Sequence, residues 1–234
     1  MKKLPDLFVS AVIVAAGKGT RMNMDINKQY LEICGKPVLA RTLQVFEECR
    51  VINEVVLVVN ENEIMYCKQN IIDEFGFGKV KIMVAGGIER QASVYNGLNE
   101  IDKRCDIVLI HDGARPFVNE KSIIDSIYAA YEFGASCAAV PVKDTVKRSD
   151  KDDFVVETLD RSALWLIQTP QTFKYGLIME AHRKALEDGF IGTDDAALVE
   201  RLGHKPKLVM GGYDNIKITT REDIPVAEAI LNCR

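Results

Sequence analysis

From Phe8 to Val142, short apolar runs rich in β-branched residues alternate with longer amphipathic segments. The runs Phe8 to Val14, Glu54 to Asn60, Val80 to Val84, Asp106 to Ile110 and Ser136 to Val142 have the length and residue types of buried strands. Between them, Val38 to Cys49, Glu61 to Phe75, Arg90 to Ile101 and Glu120 to Phe133 read as helices. Parallel strands need crossovers of this kind, so the alternation predicts βαβ units and a mainly parallel sheet. In such sheets ligands bind beyond the carboxyl ends of the strands. Polar motifs that follow strand ends are therefore expected to converge in space.

After Val142 the rhythm breaks. Lys143 to Thr158 is charged and strand-like on both sides of a polar turn at Ser149 to Asp153, which predicts a β-hairpin projecting from the body. A lone hairpin is marginal in water, so this arm is expected to pack on something, a second subunit being one choice. Asn215 to Thr219 reads as a returning strand and Arg221 to Leu231 as a closing helix. With 234 residues, 47% of them hydrophobic, the chain can bury a large core, and no repeat or flexible linker divides it. The expected fold is α/β, a Rossmann-like three-layer sandwich with a mostly parallel sheet. One domain over residues 1–234 carries a protruding arm at about 143–158.

A formal net charge of −4 argues against general binding to nucleic acid or an anionic membrane. The cations Arg21, Lys28, Arg90, Arg115, Arg161 and Lys217 then need a local explanation, and small anionic ligands supply one. Cys34, Cys49, Cys67, Cys105, Cys137 and Cys233 are widely spaced, contain no Cys-x-x-Cys pair and mostly sit in apolar runs. Reduced thiols in a cytoplasmic protein are the expectation. The basic start Met1 to Asp6 leads into an apolar run too short for a signal peptide or membrane span.

The first expected strand runs straight into Ala15-Ala16-Gly17-Lys18-Gly19-Thr20-Arg21-Met22, and Lys28-Gln29-Tyr30 follows six residues later. Small residues let backbone N–H groups approach an anion, Gly17 and Gly19 permit positive φ, and Arg21 and Lys28 bring charge. The run suits a nucleoside triphosphate, and a plain glycine turn beside surface cations is the other reading. It is too compressed for Gly-x-x-x-x-Gly-Lys-Ser/Thr, and Met22 stands at the third glycine of Gly-x-Gly-x-x-Gly.

Two further motifs follow strand ends. His111-Asp112-Gly113-Ala114-Arg115-Pro116 offers a hard carboxylate where a divalent cation could be held against phosphates, a cap on the turn before Pro116 being the lesser alternative for Asp112. His111 is better suited to orienting that turn than to ligating metal, since His182 and His204 stand in no ligand spacing with it. Gly86-Gly87-Ile88-Glu89-Arg90-Gln91-Ala92-Ser93 can admit a base or ribose close to its backbone, with Arg90 or Ser93 bonding to it. An ordinary glycine turn before a helix also fits. Arg161, after Asp160, and Lys217, in Asp214-Asn215-Ile216-Lys217, are either ligand contacts or solvated surface charges.

Taken in order with Asp144-Thr145, Gln168-Thr169-Pro170-Gln171 and Thr193-Asp194, these motifs span nearly the whole chain. The set resembles the 2-C-methyl-D-erythritol 4-phosphate cytidylyltransferase family of the nucleotidyltransferase superfamily. The resemblance implies a reaction of CTP with methylerythritol phosphate, giving the CDP-alcohol and pyrophosphate on the non-mevalonate route to isoprenoid precursors. It further implies Mg²⁺ as cofactor, held by Asp112, and a homodimer joined through interlocking arms.

By that similarity Ala15, Ala16, Gly17, Gly19 and Arg21 hold the triphosphate, with Gly113 also at the nucleotide, and Lys28 bridges phosphates. Gly87, Ile88 and Ser93 surround cytosine and ribose, supported by Arg90. Arg161 and Lys217 grip the acceptor's phosphate, with Thr145 on the arm and Thr193 lining the same region; Arg21, Lys28, Arg161 and Lys217 are the expected catalytic cations. The acceptor phosphate is already an anionic nucleophile, so no general base is needed, and cations must bring two polyanions together.

Three positions depart from the family's usual pattern: Val14 and Asn27 stand where prolines are common, and Ile88 where an acidic residue is common. If position 88 acts through its backbone the change is harmless; if a carboxylate reads the nucleotide, recognition is weakened. Two rivals are a ribitol 5-phosphate cytidylyltransferase, which shares Thr169 to Phe173, and a non-catalytic nucleotide-binding module. The presence of Arg21, Lys28, Asp112, Arg161 and Lys217 counts against the second.

Overall fold

The computed structural model describes residues 5–17 and 28–234, with Lys28 described by its backbone alone. Strands β1 (Val9–Ala15), β4 (Glu54–Val59), β5 (Val80–Ala85), β6 (Ile107–Asp112), β7 (Ala135–Pro141), β10 (Trp165–Lys174) and β11 (Lys207–Met210) form one sheet. Their spatial order is β11-β7-β10-β6-β1-β4-β5. β1 pairs in parallel with β4 and β6, β4 with β5, and β7 with β11. β10 alone runs antiparallel, against both β6 and β7. It is reached from β7 through the arm rather than through a crossover helix, which is the connection an antiparallel neighbour allows.

Side-chain alternation builds the layers. Along β1, Val9, Ala11, Ile13 and Ala15 enter a core shared with Leu39, Leu43 and Phe46 of α1 (Val38–Glu48), Cys67 of α2 (Ile64–Cys67), and Ile123 and Ile127 of α4 (Glu120–Phe133). Val12 enters the opposite core with Val94 and Leu98 of α3 (Arg90–Asn99), Ile178 and Ala181 of α5 (Tyr175–Glu187), and Leu198 and Val199 of α6 (Asp195–Arg201). A sheet buried on both faces needs such continuous apolar strands, and β4 and β6 are buried at every position. A smaller cluster, Ile33, Val38, Phe117, Ile218 and Ala227, seats α7 (Asp223–Asn232) beside the short pair β2 (Glu32–Ile33) and β3 (Lys36–Pro37).

The expected α/β architecture with its arm is observed. Strands β8 (Lys147–Ser149) and β9 (Val155–Thr158) pair antiparallel as a separate two-stranded sheet, exposed throughout. Three details differ from expectation. β6 continues through His111 and Asp112, so the carboxylate stands on the strand end itself. The helix expected over Glu61 to Phe75 is irregular, a 3₁₀ turn at Glu61–Glu63 followed by α2 and a π-turn segment at Lys68–Asp73. Residues 215–219 are not a strand but an extended loop, fastened by Ile218 N–H donating to the Ala114 carbonyl at 2.9 Å and by the Asn215 side chain. One backbone bond and a side-chain anchor replace the ladder there.

Candidate active site

The carboxyl ends of β1, β4, β5 and β6 open into a cleft of about 750 Å³. It lies where the order β1-β4-β5 turns back to β6, the switch point at which open α/β sheets take ligands. One wall is the backbone of Ala15, Ala16 and Gly17. Gln29 ties that wall down: buried, it donates from Nε2 to the Ala15 carbonyl at 2.7 Å. Behind it the Tyr30 hydroxyl donates to Glu63 Oε2 at 3.2 Å. The motif Lys28-Gln29-Tyr30 thus has a structural half, Gln29 and Tyr30. Gly19, Arg21 and the Lys28 side chain, assigned to the triphosphate from sequence, lie outside the described residues.

The second wall is the turn from β5 into α3. A Cβ on Gly86 would stand 2.2 Å from the Cβ of Ala16, so glycine is what lets the two loops touch. Ser93 shapes the turn, accepting from Gly87 N–H at 3.0 Å and donating to the Glu89 carbonyl at 3.0 Å. The Ile88 side chain is fully exposed at the cleft mouth. Gly113, expected at the nucleotide, is not among the lining residues; its N–H donates to the Val14 carbonyl and its own carbonyl accepts from Thr42.

Asp112 forms the floor, buried, with its N–H donating to Thr169 Oγ1 at 3.1 Å. Three cations converge on its carboxylate. Lys217 Nζ is 2.9 Å from Oδ2, Arg115 Nε 3.4 Å from the same oxygen, and Arg90 Nε 3.4 Å from Oδ1. Burial alone would raise this carboxyl's pKa; Lys217, Arg90 and Arg115 outweigh it and hold it well below the usual carboxylate range. Lys217 reaches this point because Asn215 anchors its loop, donating to the Thr169 carbonyl at 3.0 Å, while Arg115 donates to the Asn215 carbonyl at 2.8 Å. His111 orients the turn as expected, its Nε2–H donating to the Arg115 carbonyl at 3.1 Å and its ring lying 5.1 Å from that of Phe46.

Among the described residues no group of three or more His, Cys, Asp or Glu side chains is placed to hold a metal ion. A single ionised carboxylate on the floor of a phosphate-sized cleft nevertheless fits Mg²⁺, which takes one or two protein carboxylates and fills its remaining positions with phosphate oxygens and water.

Thr145, Arg161 and Thr193 are exposed and are not among the residues lining the cleft. Arg161 donates to the Lys143 carbonyl at 2.7 Å, at the root of the arm, and Thr193 adjoins the loop whose Gly192 N–H donates to Gln91. Sequence reasoning left Asp195 and His182 without a role. Asp195 opens α6 with its side chain 1% exposed, and its Oδ2 is 2.8 Å from Arg90 Nη2. The Thr193-Asp194 motif pointed to this corner of the chain, one residue short.

The profile of the 2-C-methyl-D-erythritol 4-phosphate cytidylyltransferase family matches residues 9–233. A protein of that name from Caldanaerobacter subterraneus subsp. tengcongensis is 55% identical over 223 residues, 95% of this chain and 98% of the relative. Another from Clostridioides difficile is 51% identical over 95% of this chain and 93% of its own. Among solved structures, the 4-diphosphocytidyl-2C-methyl-D-erythritol synthase of Anaerococcus prevotii superposes with a TM-score of 0.86 at 38% identity, covering 97% of this chain and 96% of that one. With a matching profile over nearly its whole length and relatives at this identity, the chain belongs to the 2-C-methyl-D-erythritol 4-phosphate cytidylyltransferase family.

Proposed function

We propose that the protein joins CTP to 2-C-methyl-D-erythritol 4-phosphate and releases pyrophosphate, with the cleft between β1 and β6 as the place of reaction. The observation that supports this most is the ion pair between Lys217 and Asp112 at 2.9 Å on the cleft floor. It joins the cation assigned to the acceptor phosphate to the carboxylate assigned to the metal. In this reading the Ala15 to Gly17 backbone, with Gly19 and Arg21, receives the triphosphate, and the Gly87 to Ser93 turn receives cytosine and ribose. Gly113 supports the first wall through its bond to Val14.

The acceptor phosphate attacks the α-phosphorus of CTP, so the P–O bond to pyrophosphate breaks as the new P–O bond forms. No proton has to be removed from the nucleophile. The work of the protein is to hold two polyanions in line and to supply positive charge at the transferring group. Lys28 and Arg21 are assigned to that charge, and Lys217 and Arg161 to the acceptor. Asp112 would hold Mg²⁺, which when bound supplies charge neutralisation between the phosphates. A homodimer through the arm belongs to the same reading, with Thr145 serving the neighbouring subunit's cleft; cytoplasmic placement with reduced thiols belongs to it as well. Pyrophosphate release from CTP and Mg²⁺, measured with methylerythritol phosphate and separately with ribitol 5-phosphate, tests the proposal. Preference for ribitol 5-phosphate would overturn the acceptor, and CTP binding without release with either alcohol would overturn catalysis.

A further inference from the structure

Arg90 spans two carboxylates. Its Nε stands 3.4 Å from Asp112 Oδ1 on the cleft floor, and its Nη2 stands 2.8 Å from Asp195 Oδ2 behind it. The Asp195 contact is close but not aligned as a hydrogen bond, so it acts through charge. The backbone that carries Asp195 is fixed: Gln171 Oε1 accepts from the N–H groups of both Asp195 and Ala196 at 3.0 Å, which pins the first turn of α6 to β10. On the far side, His182 Nε2 of α5 lies 3.6 Å from Asp195 Oδ1, and its ring stacks on Tyr95 of α3 with centroids 5.8 Å apart. Three helices and a strand thus converge to place one buried negative charge opposite Asp112, with Arg90 between them.

We propose that Asp195 is a positioning residue that acts through Arg90 on Asp112. By drawing the guanidinium back, it keeps Arg90 shared between two carboxylates, and so leaves Asp112 enough charge for the cation that accompanies the triphosphate. Burial alone would lower the Arg90 pKa, and Asp195 and Asp112 together reverse that, so the guanidinium remains charged in its enclosed position. Without the charge on Asp195, Arg90 has only Asp112 to pair with. Three cations then press on one carboxylate with nothing to divide their attention, and cation binding at the floor weakens. The inference rests on the proposed CTP and Mg²⁺ reading of the cleft.

The test is a double-mutant cycle of Asp195→Asn and Arg90→Gln. CTP dissociation constants are measured by calorimetry in Mg²⁺ without acceptor, together with turnover and the KM for methylerythritol phosphate. Asp195→Asn is expected to weaken CTP binding about tenfold in the native background, to leave the acceptor KM unchanged, and to add less than about twofold where Arg90 is already Gln. An equal loss in both backgrounds would make Asp195 merely structural and overturn the proposal, as would no loss in the native one. If Asp195→Asn does not fold, as judged by near-ultraviolet circular dichroism, Asp195→Glu, which keeps the charge but displaces it from Arg90, takes its place in the same cycle and is read by the same outcomes. A native protein that neither binds CTP nor turns it over would instead sink the reading of the cleft itself.

Discussion

Asp112 is the residue on which the site turns, because one buried carboxylate compensates three cations. Its neighbourhood shows which residue roles can be read locally and which cannot. A carboxylate at the end of an apolar run could be suspected from sequence, since strand ends and ligand sites coincide. That Arg90 and Lys217, 22 residues before and 105 after it, meet on that carboxylate could not, because contacts at such separation depend on the packing of whole elements. Asp195 was the harder case. An aspartate beginning a helix ordinarily caps it or meets solvent, and here that capping falls to Asp194, whose Oδ1 accepts from Ala197 N–H at 2.9 Å. At this scale the sharpest prediction concerns Lys28, assigned to charge that develops only during transfer. Lys28→Ala is expected to lower kcat at least about a hundredfold with the thermal midpoint little changed. Near-normal turnover would remove Lys28 from the transition state.

Among the elements, α3 carries the wall proposed for the nucleotide and sits close to the sheet. A Cβ on Gly97 would meet Val12 Cγ1 at 2.7 Å and Val58 Cγ2 at 2.8 Å, both on fully buried side chains of β1 and β4. Neither valine has room to turn away, so Gly97→Ala is expected to cost about 1–3 kcal/mol of stability through overpacking, despite alanine's better helix propensity. Urea unfolding measures it, and an unchanged or raised midpoint would show that α3 can lift off the sheet. The arm presents the opposite situation. Phe154, Val155 and Val156 are 72%, 62% and 56% exposed, an apolar tip that a two-stranded hairpin cannot bury by itself. Removing residues 143–158 is expected to convert the proposed dimer to a monomer in sedimentation velocity, and a dimer that persists would rule out the arm as the main contact. β10 escaped sequence reading for a related reason. Gln168, Thr169, Pro170 and Gln171 do not look like a buried strand, and they are buried because their polar groups are satisfied by Gly212, Asn215, Asp112 and the start of α6.

The molecule as a whole stores several ionisable groups in fixed states, which makes its stability sensitive to acid. Burial pushes the His111 imidazole down to about 4, against about 6.5 in an unfolded chain. The native state refuses a proton that the unfolded chain accepts, so this contribution is intact above about pH 6.5 and is lost as pH falls toward 4, by on the order of 3 kcal/mol. Asp112 and Asp195 would both be raised by burial, yet their cationic partners hold them below the usual range. Their contribution is present above about pH 4 and fades only below it. Stability from urea unfolding is therefore expected to fall between pH 7 and 4.5, with a shallower slope in His111→Gln. An equal slope in both proteins would mean that other groups carry the loss.

The alternation of strands and helices, the glycine-rich loops at strand ends, the arm and the family resemblance are all legible in the chain before it folds. All of these are local signals, since period, turn chemistry and motif spacing are written in neighbouring residues. The order of the strands was decided only in three dimensions, as were the antiparallel β10, the loop form of residues 215–219 and the burial of Asp195. Those features follow from which apolar faces cover one another and from where buried polar groups find partners across tens of residues, and a charge such as Arg90 acquires its role only when two distant carboxylates are brought to either side of it.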